Sequence, residues 1–422
     1  MISKILKTLW LILNKIPRLK KSIYNFYAWR LFEIVPTFKK LIYKFYDKFW
    51  YLELLIDIND PDFITNFPNS LYIDTTRLNY YLGYKFYSKD IDFILDENLD
   101  NSSNLKKIKD SYESIFLNDH FLKKMKWEES DLFETIFSKL NQKKTNAQEF
   151  DKNLFLELLN SLDDLYFDFN IDKIKNKIKV GIGRNGEFIL IDGIFYVSLL
   201  HILNEKTIPI YVIYRHSHWI KFCNEFIKFQ KIHGEVYQPL IHPDLNLKTS
   251  YYSDKRFKII KDNLNIKTGS VLDIGANWGY FCHSFEDLGF NCYAVEIRPS
   301  NIYFMKKLRE IEGKKFKIIN KSIFDLKTTK EFDIVIALNI FHHFLREEKL
   351  YFELIEFLKK IKMKVMFFQP HNPNEEVMQN AYINYNNREF VDFIIKYSCL
   401  NKAMLLNEKV DGRDRPIYKL FK

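Results

Sequence analysis

The chain is poor in cysteine, glycine and proline. Its 422 residues contain four cysteines, none of them in a Cys-x-x-Cys pair, so a disulfide framework and a cysteine zinc knuckle are excluded. Twelve glycines and eleven prolines are too few for a collagen-like or low-complexity chain. The sequence also lacks a run of the roughly 18 apolar residues that a membrane-spanning helix needs. We therefore expect a soluble multidomain protein of the cytoplasm.

The charge of the chain is unevenly distributed. Hydrophobic residues make up 47% of the sequence and aromatic residues 17%, which predicts buried cores rather than disorder. The formal net charge is +10, yet residues 1–50 hold eleven lysines and arginines against two acids and so carry nearly the whole excess. Because the remainder is close to neutral, nucleic acid is not expected as a partner of the main body of the protein.

The basic segment, residues 1–58, has the pattern of two amphipathic helices. Apolar residues recur at helical spacing; Pro17 ends the first helix, and the second begins near Pro36. Lysines stack on the side opposite the apolar stripe of the second helix. Two alternatives follow. Either residues 1–52 make a peripheral contact with anionic lipid at the inner membrane face, or the stripes pack on the protein and the lysines are solvated.

Two longer regions carry no catalytic pattern. Residues 59–170 are predicted to be mainly helical, with the clearest helical periodicity over 110–122 and 129–140. Residues 223–261, which contain a proline-marked loop at 237–244, are predicted to be a linker between two domains.

A glycine motif between these regions is misleading. Gly181, Gly183 and Gly186 stand at the spacing of the G-x-G-x-x-G dinucleotide fingerprint. That fingerprint binds a pyrophosphate only where a strand precedes it and a helix N-terminus follows it. Here Asn185 and Gly186 are the preferred residues of a two-residue hairpin turn, and a second strand-like run follows them. The sequence therefore predicts a β-hairpin over 177–192 and no nucleotide site.

After the hairpin the sequence predicts an Asp-Gly turn, a helix and, over 208–214, a strand. Elements in this order resemble a ParB/sulfiredoxin-like domain, which implies a small α+β domain over 171–222. Members of that family usually follow Asp-Gly with basic residues and a histidine that touch nucleotide phosphate, whereas this chain has Ile194, Phe195 and Tyr196. Because these side chains cannot compensate phosphate charge, we expect the domain to serve packing or recognition.

Two histidines follow this domain's last predicted strand. His216 and His218 stand two residues apart, and Cys223 is the nearest further candidate for a metal ligand. A zinc site needs three or four ligands at suitable spacing. No metal is therefore expected, and the histidines are interpreted as ordinary polar residues at a strand end.

The C-terminal part of the chain has the order strand, glycine loop, helix, strand. The run VLDIG leads into a D-x-G-x-N-x-G loop, and the next strand ends at Glu296. Glycines let the backbone approach a ligand closely, and an acid at the tip of the second strand can reach the two hydroxyls of a ribose. Asp273 can compensate a cationic group nearby. A donor with a ribose and a positive charge, but no pyrophosphate, fits this pattern better than a dinucleotide.

These motifs, together with INKSIFDL and DIVIALN further on, resemble the class I S-adenosylmethionine-dependent methyltransferases over most of residues 262–422. The resemblance implies a Rossmann-like α/β sheet of seven strands, the last pair antiparallel, with S-adenosylmethionine as cofactor. The family usually flanks adenine with an aspartate, where this chain has Ser322. The cofactor-binding residues that the resemblance implies are Asp273, Gly275, Asn277 and Gly279 at the methionine end, Glu296 at the ribose, Ser322 and Ile323 at the adenine, and Asn339 after the fourth strand.

The same resemblance places the methyl acceptor beyond the fourth strand. A general base helps when the acceptor is a hydroxyl, and His342 and His343 are the candidates. We prefer His343, because neighbours on an extended segment face opposite ways and one of the two histidines should point into the protein. His371 is a second candidate. The expected acceptor is an oxygen or nitrogen nucleophile of a small molecule or glycan, presented at a membrane if the basic segment binds lipid.

Several roles stay open at this point. Trp278 and Tyr280 either line the donor pocket or pack in the core, and His283 is interpreted as structural. Two other functions are compatible with the residues. One is a nucleic-acid-binding regulator that acts through the ParB-like domain, which predicts salt-sensitive retention of DNA or RNA. The other is a protein that binds S-adenosylmethionine without turnover.

Overall fold

The computed structural model divides the chain into two compact units, residues 1–61 and residues 62–422. The first unit lies outside the described residues, so the basic helices predicted over 1–58 stay a prediction. None of the described helices is long and apolar enough to cross a membrane. The structure describes residues 68–82, 105–141, 152–233, 236–245, 254–326, 330–410 and 414–422.

A mixed sheet of six strands forms the upstream part of the second unit, with the order β1-β6-β4-β5-β2-β3. Its strands are β1 (Ser70–Asp74), β2 (Tyr80–Leu82), β3 (Leu105–Lys107), β4 (Lys179–Ile182), β5 (Phe188–Asp192) and β6 (Thr207–Arg215). The helices of this part are α1 (Tyr112–Phe121), α2 (Phe133–Asn141), α3 (Lys152–Phe167), α4 (Ile194–Ile202) and α5 (Ser217–His233).

Strands β1 to β3 lie within the region over 59–170, which was predicted to be mainly helical; they occupy 5, 3 and 3 residues. β1 alternates exposed and buried residues and pairs antiparallel with β6, so that Leu71 lies opposite Ile210. β2 and β3 have three residues each, which is too short for a period-2 pattern to be visible in the sequence. These strands form through pairing with distant segments. The described helices of the region, α1 to α3, agree with the rest of the prediction.

The hairpin predicted over 177–192 is confirmed. β4 pairs antiparallel with β5, and the turn is closed by the backbone N–H of Gly183, which donates to the carbonyl of Glu187 at 2.9 Å. The chain then turns at Gly193 into α4, and β6 follows. The glycine motif therefore does not open a helix. The elements have the predicted order, and the likeness to a ParB/sulfiredoxin-like domain stays a prediction.

The turn at Gly193 provides a stability test with a matched control. Gly193 has φ +94°, and a Cβ there would lie 2.4 Å from the backbone oxygen of Lys177. Gly313 has φ +61° with no atom within 4 Å of the same position. We expect Gly313→Ala to lower the free energy of unfolding by about 1 kcal/mol, the cost of a left-handed alanine, and Gly193→Ala to lower it by roughly 2 kcal/mol or more, since it adds a clash. Urea denaturation measures both, and equal losses would contradict the expectation.

The predicted linker over 223–261 is packed structure wherever it is described. α5 runs across the predicted boundary at 222, so the segment begins inside a helix. Further on, His242 Nε2 hydrogen-bonds to the backbone oxygen of Gly186 at 2.8 Å, and the buried Asp244 accepts hydrogen bonds from Trp219 Nε1 at 2.7 Å and from Arg215. The sequence gives no hint of these contacts, because each joins residues that are distant along the chain.

A seven-stranded sheet forms the C-terminal part, in the order β12-β13-β11-β10-β7-β8-β9. β9, β8, β7, β10 and β11 are parallel, and β13 runs antiparallel to both of its neighbours. The predicted seven strands with an antiparallel closing pair are therefore confirmed. The strands are β7 (Ser270–Ile274), β8 (Asn291–Val295), β9 (Lys317–Ile319), β10 (Glu331–Leu338), β11 (Lys362–Gln369), β12 (Lys402–Asn407) and β13 (Ile417–Phe421). The helices are α6 (Lys255–Asp262), α7 (Tyr280–Asp287), α8 (Pro299–Ile311), α9 (Glu348–Lys360) and α10 (Asn387–Tyr397).

The core of this part lies on both faces of the sheet. Every residue of β7 is buried, as is typical of a parallel strand that helices cover on each side. Successive residues point to opposite faces: Val271 belongs to the cluster beneath α7, and Leu272 to the cluster beneath α9 and α10. The strand order reverses between β7 and β10. Ligands of open α/β sheets bind at such a reversal, beyond the carboxyl ends of the strands.

Candidate functional site

A glycine-containing turn joins β7 to α7 at this reversal. Gly275, Asn277 and Gly279 have φ values of +71°, +53° and +85°, the left-handed region that glycine and asparagine tolerate best. The backbone N–H groups of Gly275 and Ala276 both donate to the carbonyl of Val295 at 3.0 Å, which ties the turn to the end of β8. The structure therefore brings the predicted glycine loop against the second strand.

Glu296, at the tip of β8, holds this arrangement together. Its carboxylate accepts four hydrogen bonds, from the backbone N–H of Asn277 at 2.9 Å, of Ile297 at 2.8 Å and of Arg298 at 2.9 Å, and from Asn301 Nδ2 at 3.2 Å. A carboxylate offers about four acceptor positions. A diol that binds here must therefore replace one or more of these donors. Two of the predicted residues, Asn277 and Glu296, are in direct contact.

Two buried side chains of opposite charge lie beside the turn. Asp273 is buried near the end of β7; burial raises its pKa to about 7, while Arg256 opposes the shift and Glu296 adds to it. Arg256, on α6, is 1% exposed and donates from Nη1 to Gln369 Oε1 at 3.5 Å. Sequence analysis missed Arg256. The available signal was its position four residues before the buried Ile260, on the apolar face of α6.

Two polar atoms of the turn are buried without a described partner. No hydrogen bond from the described part of the chain reaches Asn277 Oδ1 or Trp278 Nε1. The Trp278 ring packs against Phe226 at 5.1 Å, Phe229 at 5.2 Å and Phe304 at 5.1 Å, so α5 of the upstream part covers the glycine turn. Packing is thus the role the structure favours for Trp278. An orphaned amide oxygen at the turn fits a ligand that donates hydrogen bonds.

Tyr280 and His283 lie on α7, directly after the turn. Burial raises the pKa of Tyr280 to about 12 and, together with the nearby cation of Lys314, lowers the pKa of His283 to about 3. Both side chains are buried, and the His283 ring lies 4.9 Å from that of Phe316. A neutral, enclosed histidine agrees with a structural role.

The residues predicted at the adenine lie after β9. Ser322 caps the short 3-10 turn Ile323–Asp325, and its hydroxyl accepts from the backbone N–H of Phe324 at 3.3 Å. Ile323 is buried, and Asp325 is exposed. A cavity of about 590 Å³ lies between this turn and α9. Of the predicted cofactor-binding residues, Ile323 is the one that lines this cavity.

Asn339 joins the tips of three segments. Its backbone N–H donates to the carbonyl of Gln369 at 3.0 Å, and its Nδ2 donates to Gln369 Oε1 at 2.9 Å and to the hydroxyl of Tyr237 at 3.4 Å. Gln369 ends β11, and Tyr237 belongs to the predicted linker. Sequence analysis assigned neither residue to the site. Tyr237 follows no spacing pattern, because it arrives from outside the methyltransferase-like sheet.

Three histidines cluster beyond β10 and β11. The His342 ring lies 4.1 Å from that of His343 and 5.4 Å from that of His371. The two histidines lie on the 3-10 turn Phe341–Phe344 and not on the extended segment that was predicted. His342 is nevertheless buried and His343 exposed. His371 is buried, and its Nε2 lies 3.0 Å from Asn384 Oδ1. The structure therefore brings all three candidate bases together.

His342 and His343 differ in the pKa of their side chains. Burial, together with the neighbouring His343 and His371, lowers the pKa of His342 to about 2. The His343 side chain reaches solvent, yet partial desolvation and the guanidinium groups of Arg298 and Arg346 lower its pKa to about 4. A base holds a proton better as its pKa approaches the working pH. His343 is therefore the better proton acceptor of the two.

The histidines of the upstream part have other surroundings. His216 is buried, whereas His218 is exposed beside Arg184, with 3.2 Å between Arg184 Nη1 and its ring nitrogens. Within the described ranges, no group of three or more His, Cys, Asp and Glu side chains is arranged to hold a metal ion.

Comparison with known protein families gives a match to part of this sheet. Residues 272–361 match a family model described as a methyltransferase domain. This stretch is accordingly a methyltransferase domain, and S-adenosylmethionine is the cofactor that it implies. The match includes the glycine turn, Glu296 and the pair His342 and His343.

Relatives and solved structures are more distant. A ubiquinone biosynthesis O-methyltransferase of Rickettsia conorii is 22% identical over 183 residues, covering 43% of this chain and 62% of that protein. The protein of the same name in Rickettsia prowazekii is 25% identical over 141 residues, covering 32% and 54%. The chain thus spans about three fifths of the first relative and about half of the second.

Among solved structures, the bifunctional kinase-methyltransferase WbdD has a TM-score of 0.39 at 20% identity, covering 44% of each chain. The N-methyltransferase NodS of Bradyrhizobium japonicum has a TM-score of 0.33 at 10% identity, covering 40% of this chain and 94% of that one.

Proposed function

We propose that this protein transfers the methyl group of S-adenosylmethionine to an oxygen or nitrogen nucleophile of a small molecule or glycan. One observation carries the proposal: a buried carboxylate, Asp273, and a buried guanidinium, Arg256, lie beside a left-handed glycine turn that is bonded to Glu296. Buried charges of opposite sign complement the ammonium and carboxylate of an amino acid. A nucleoside joined to an amino acid has these groups and a ribose.

Each part of the donor has a candidate partner in this chain. We assign Asp273 to the ammonium group and Arg256 to the carboxylate of the methionine end. Glu296 exchanges one or more of its present donors for the ribose hydroxyls, and Asn277 Oδ1 gains a donor. The apolar side chain of Ile323 provides a surface for the adenine, with Ser322 at its edge. Gly275 and Gly279 let the backbone approach the donor closely. Asn339 holds the ends of β10 and β11 together through its hydrogen bonds to Gln369.

The acceptor side needs alignment and a place for a proton. S-adenosylmethionine supplies a methyl group on a sulfonium sulfur, and this methyl passes to the nucleophile as the carbon–sulfur bond breaks and the new bond to oxygen or nitrogen forms. We assign the proton that leaves a hydroxyl nucleophile to His343. His342 cannot take this role well, because burial holds its pKa near 2. Both Rickettsia relatives are named O-methyltransferases, which supports an oxygen as the methylated atom.

Turnover is tested with labelled methyl donor. We expect the full chain to transfer label from S-adenosylmethionine to a small-molecule or glycan fraction of cell extract. With that fraction, His343→Gln should lower kcat by about 100-fold, the usual contribution of a general base, and leave the affinity for S-adenosylhomocysteine within about twofold. His218→Gln, a change of an exposed histidine outside the site, is the control. Donor binding without label transfer to any fraction would favour the alternative of a binding protein without turnover.

The basic segment supports a membrane-presented acceptor. Residues 1–52 combine an apolar stripe with stacked lysines, as do helices that lie on anionic lipid. We expect the protein to sediment with membranes at low salt and to be released by 1 M sodium chloride, since salt screens such attraction. Replacing Lys40, Lys44 and Lys48 by glutamine should release it at low salt. Sedimentation that neither salt nor these changes alter would contradict electrostatic attachment.

The upstream part, through the C-terminal half of α5, is proposed to support the donor site by packing. α5 places Phe226 and Phe229 on Trp278, and Glu225 accepts a hydrogen bond from the hydroxyl of Tyr303 at 2.6 Å. Both contacts join the upstream part to elements next to the glycine turn. Ile194 to Tyr196 give the Asp-Gly turn no charge for a phosphate, which disfavours a nucleic-acid regulator.

A further inference from the structure

Three arginines from separate segments, Arg298, Arg346 and Arg415, are close enough to His343 to act on it electrostatically. Arg298 follows β8, and its backbone N–H donates to Glu296. Arg346 follows the 3-10 turn that carries His343, and its carbonyl accepts from Tyr382 N at 3.3 Å. Arg415 precedes β13, and its carbonyl accepts from Gln369 Nε2 at 2.9 Å. The main chain of each arginine is therefore fixed by a hydrogen bond beside the candidate site.

The side chains of these arginines keep a positive field at His343. All three guanidinium groups act on the His343 ring, where they disfavour its protonated form. Arg415 donates from Nε to Glu375 Oε1 at 2.9 Å, which offsets part of its charge. The Arg298 side chain is exposed, and no hydrogen bond or ion pair joins it to another residue in the described ranges. Arg298 therefore contributes a positive charge to the acceptor side of the site.

The same cluster contains two buried ring nitrogens, His342 Nδ1 and His371 Nδ1, that are available for hydrogen bonds to a ligand. Asn384 donates from Nδ2 to the carbonyl of Pro373, so its Oδ1 faces His371 and accepts from Nε2. The other nitrogen of His371, Nδ1, then carries a lone pair. Neither His371 Nδ1 nor His342 Nδ1 has a hydrogen-bond partner among the described residues, and both side chains are more than nine-tenths buried. The buried lone pair of His371 Nδ1 can accept a hydrogen bond from a donor on a ligand.

From these two features together, we infer that the acceptor carries an anionic group, a carboxylate or a phosphate, next to the hydroxyl or amine that is methylated. The inference rests on the proposed function, since it assigns the substrate class of the same site. Arg298 and Arg346 bind the anionic oxygens, because guanidinium groups present paired N–H donors to a carboxylate or phosphate. His371 and His342 face the hydroxyl or amine.

Binding of an anion also affects the pKa of the proposed base, His343. The guanidinium groups that lower the pKa of His343 are countered once an anion lies among them. An anion thus opposes the part of the lowering of the His343 pKa that the guanidinium groups cause, whereas the larger part, which burial causes, stays. The charged groups that act on this histidine are Arg298, Arg346, Arg415 and Glu375.

Calorimetry with simple anions tests the inference without a known acceptor. The full chain is first saturated with S-adenosylhomocysteine and then titrated, in separate experiments, with sodium phosphate and sodium acetate at constant ionic strength. We expect at least one of the two anions to bind. Arg298→Gln and Arg346→Gln should each weaken that binding at least fivefold, whereas Arg388→Gln, a change of an exposed arginine on α10, should leave it unchanged.

The possible results distinguish a failure of the anionic-acceptor inference from a failure of the proposed methyltransferase function. Preferred binding of phosphate indicates a phosphate-bearing acceptor, and preferred binding of acetate a carboxylate-bearing one. The inference is overturned if the saturated protein binds neither anion, or if Arg388→Gln weakens binding as much as Arg298→Gln does. If S-adenosylhomocysteine itself does not bind to the folded protein, the proposed function fails, and the inference fails with it.

Discussion

Glu296→Ala is expected to weaken the binding of S-adenosylhomocysteine at least tenfold and to lower the stability of the protein as well. The carboxylate accepts three backbone N–H groups and one amide, and it is the proposed partner of the ribose. Its removal takes away the ribose contact and leaves donors next to the glycine turn without a partner. A hydrogen bond to a charged group contributes about 1.5–3 kcal/mol, and tenfold in affinity is about 1.4 kcal/mol.

Calorimetry and urea denaturation measure the two effects separately. Glu356→Ala is the control, because Glu356 is an exposed residue of α9 paired with Lys359, and it should change neither quantity by much. Glu296→Gln is informative in addition, since it keeps the size of the side chain and removes the charge. Unchanged affinity in Glu296→Ala, with the protein folded, would show that the ribose binds elsewhere.

The binding of S-adenosylhomocysteine is expected to strengthen about tenfold between pH 6 and pH 8. Burial raises the pKa of Asp273 to about 7, so roughly a tenth of this carboxyl is ionised at pH 6 and about nine tenths at pH 8. The ammonium group of the ligand needs the ionised form as its partner. The sign follows directly: affinity is lost as the pH falls through 7, because a proton then competes with the ligand.

Asp273→Asn isolates this effect. The variant should bind S-adenosylhomocysteine weakly and with little dependence on pH over the same range, because asparagine does not titrate. Calorimetric titrations at a series of pH values, with a matched ionic strength, provide the measurement. A flat profile in the wild-type protein, or an equally steep profile in Asp273→Asn, would assign the ammonium group to a different partner.

The elements of the C-terminal sheet could be predicted because their signals are local. VLDIG is a short apolar run that ends in a glycine turn, and Gly289 follows α7 at the position where helices commonly end. The contact between Asn277 and Glu296 could also be anticipated, since the carboxyl ends of neighbouring parallel strands lie at one edge of a sheet. Spacing along the chain was sufficient for these features.

The remaining features depend on pairings between distant residues. β2 and β3 have three residues each and form only against other strands. Arg256 and Tyr237 lie outside the glycine motif and reach the site through packing of α6 and of the segment before it. The three arginines around His343 come from three separate loops, so no single stretch of sequence shows that they meet. Long-range contacts of this kind set the electrostatics of the site, and local patterns do not record them.

The most direct test of the methyltransferase assignment is a calorimetric titration of the full chain with S-adenosylhomocysteine. The proposed site predicts one ligand per chain, bound in the micromolar range that is common for enzyme ligands, with the affinity reduced in Glu296→Ala. Absence of binding by the wild-type protein, shown to be folded by its cooperative unfolding in urea, would contradict a donor site at the glycine turn.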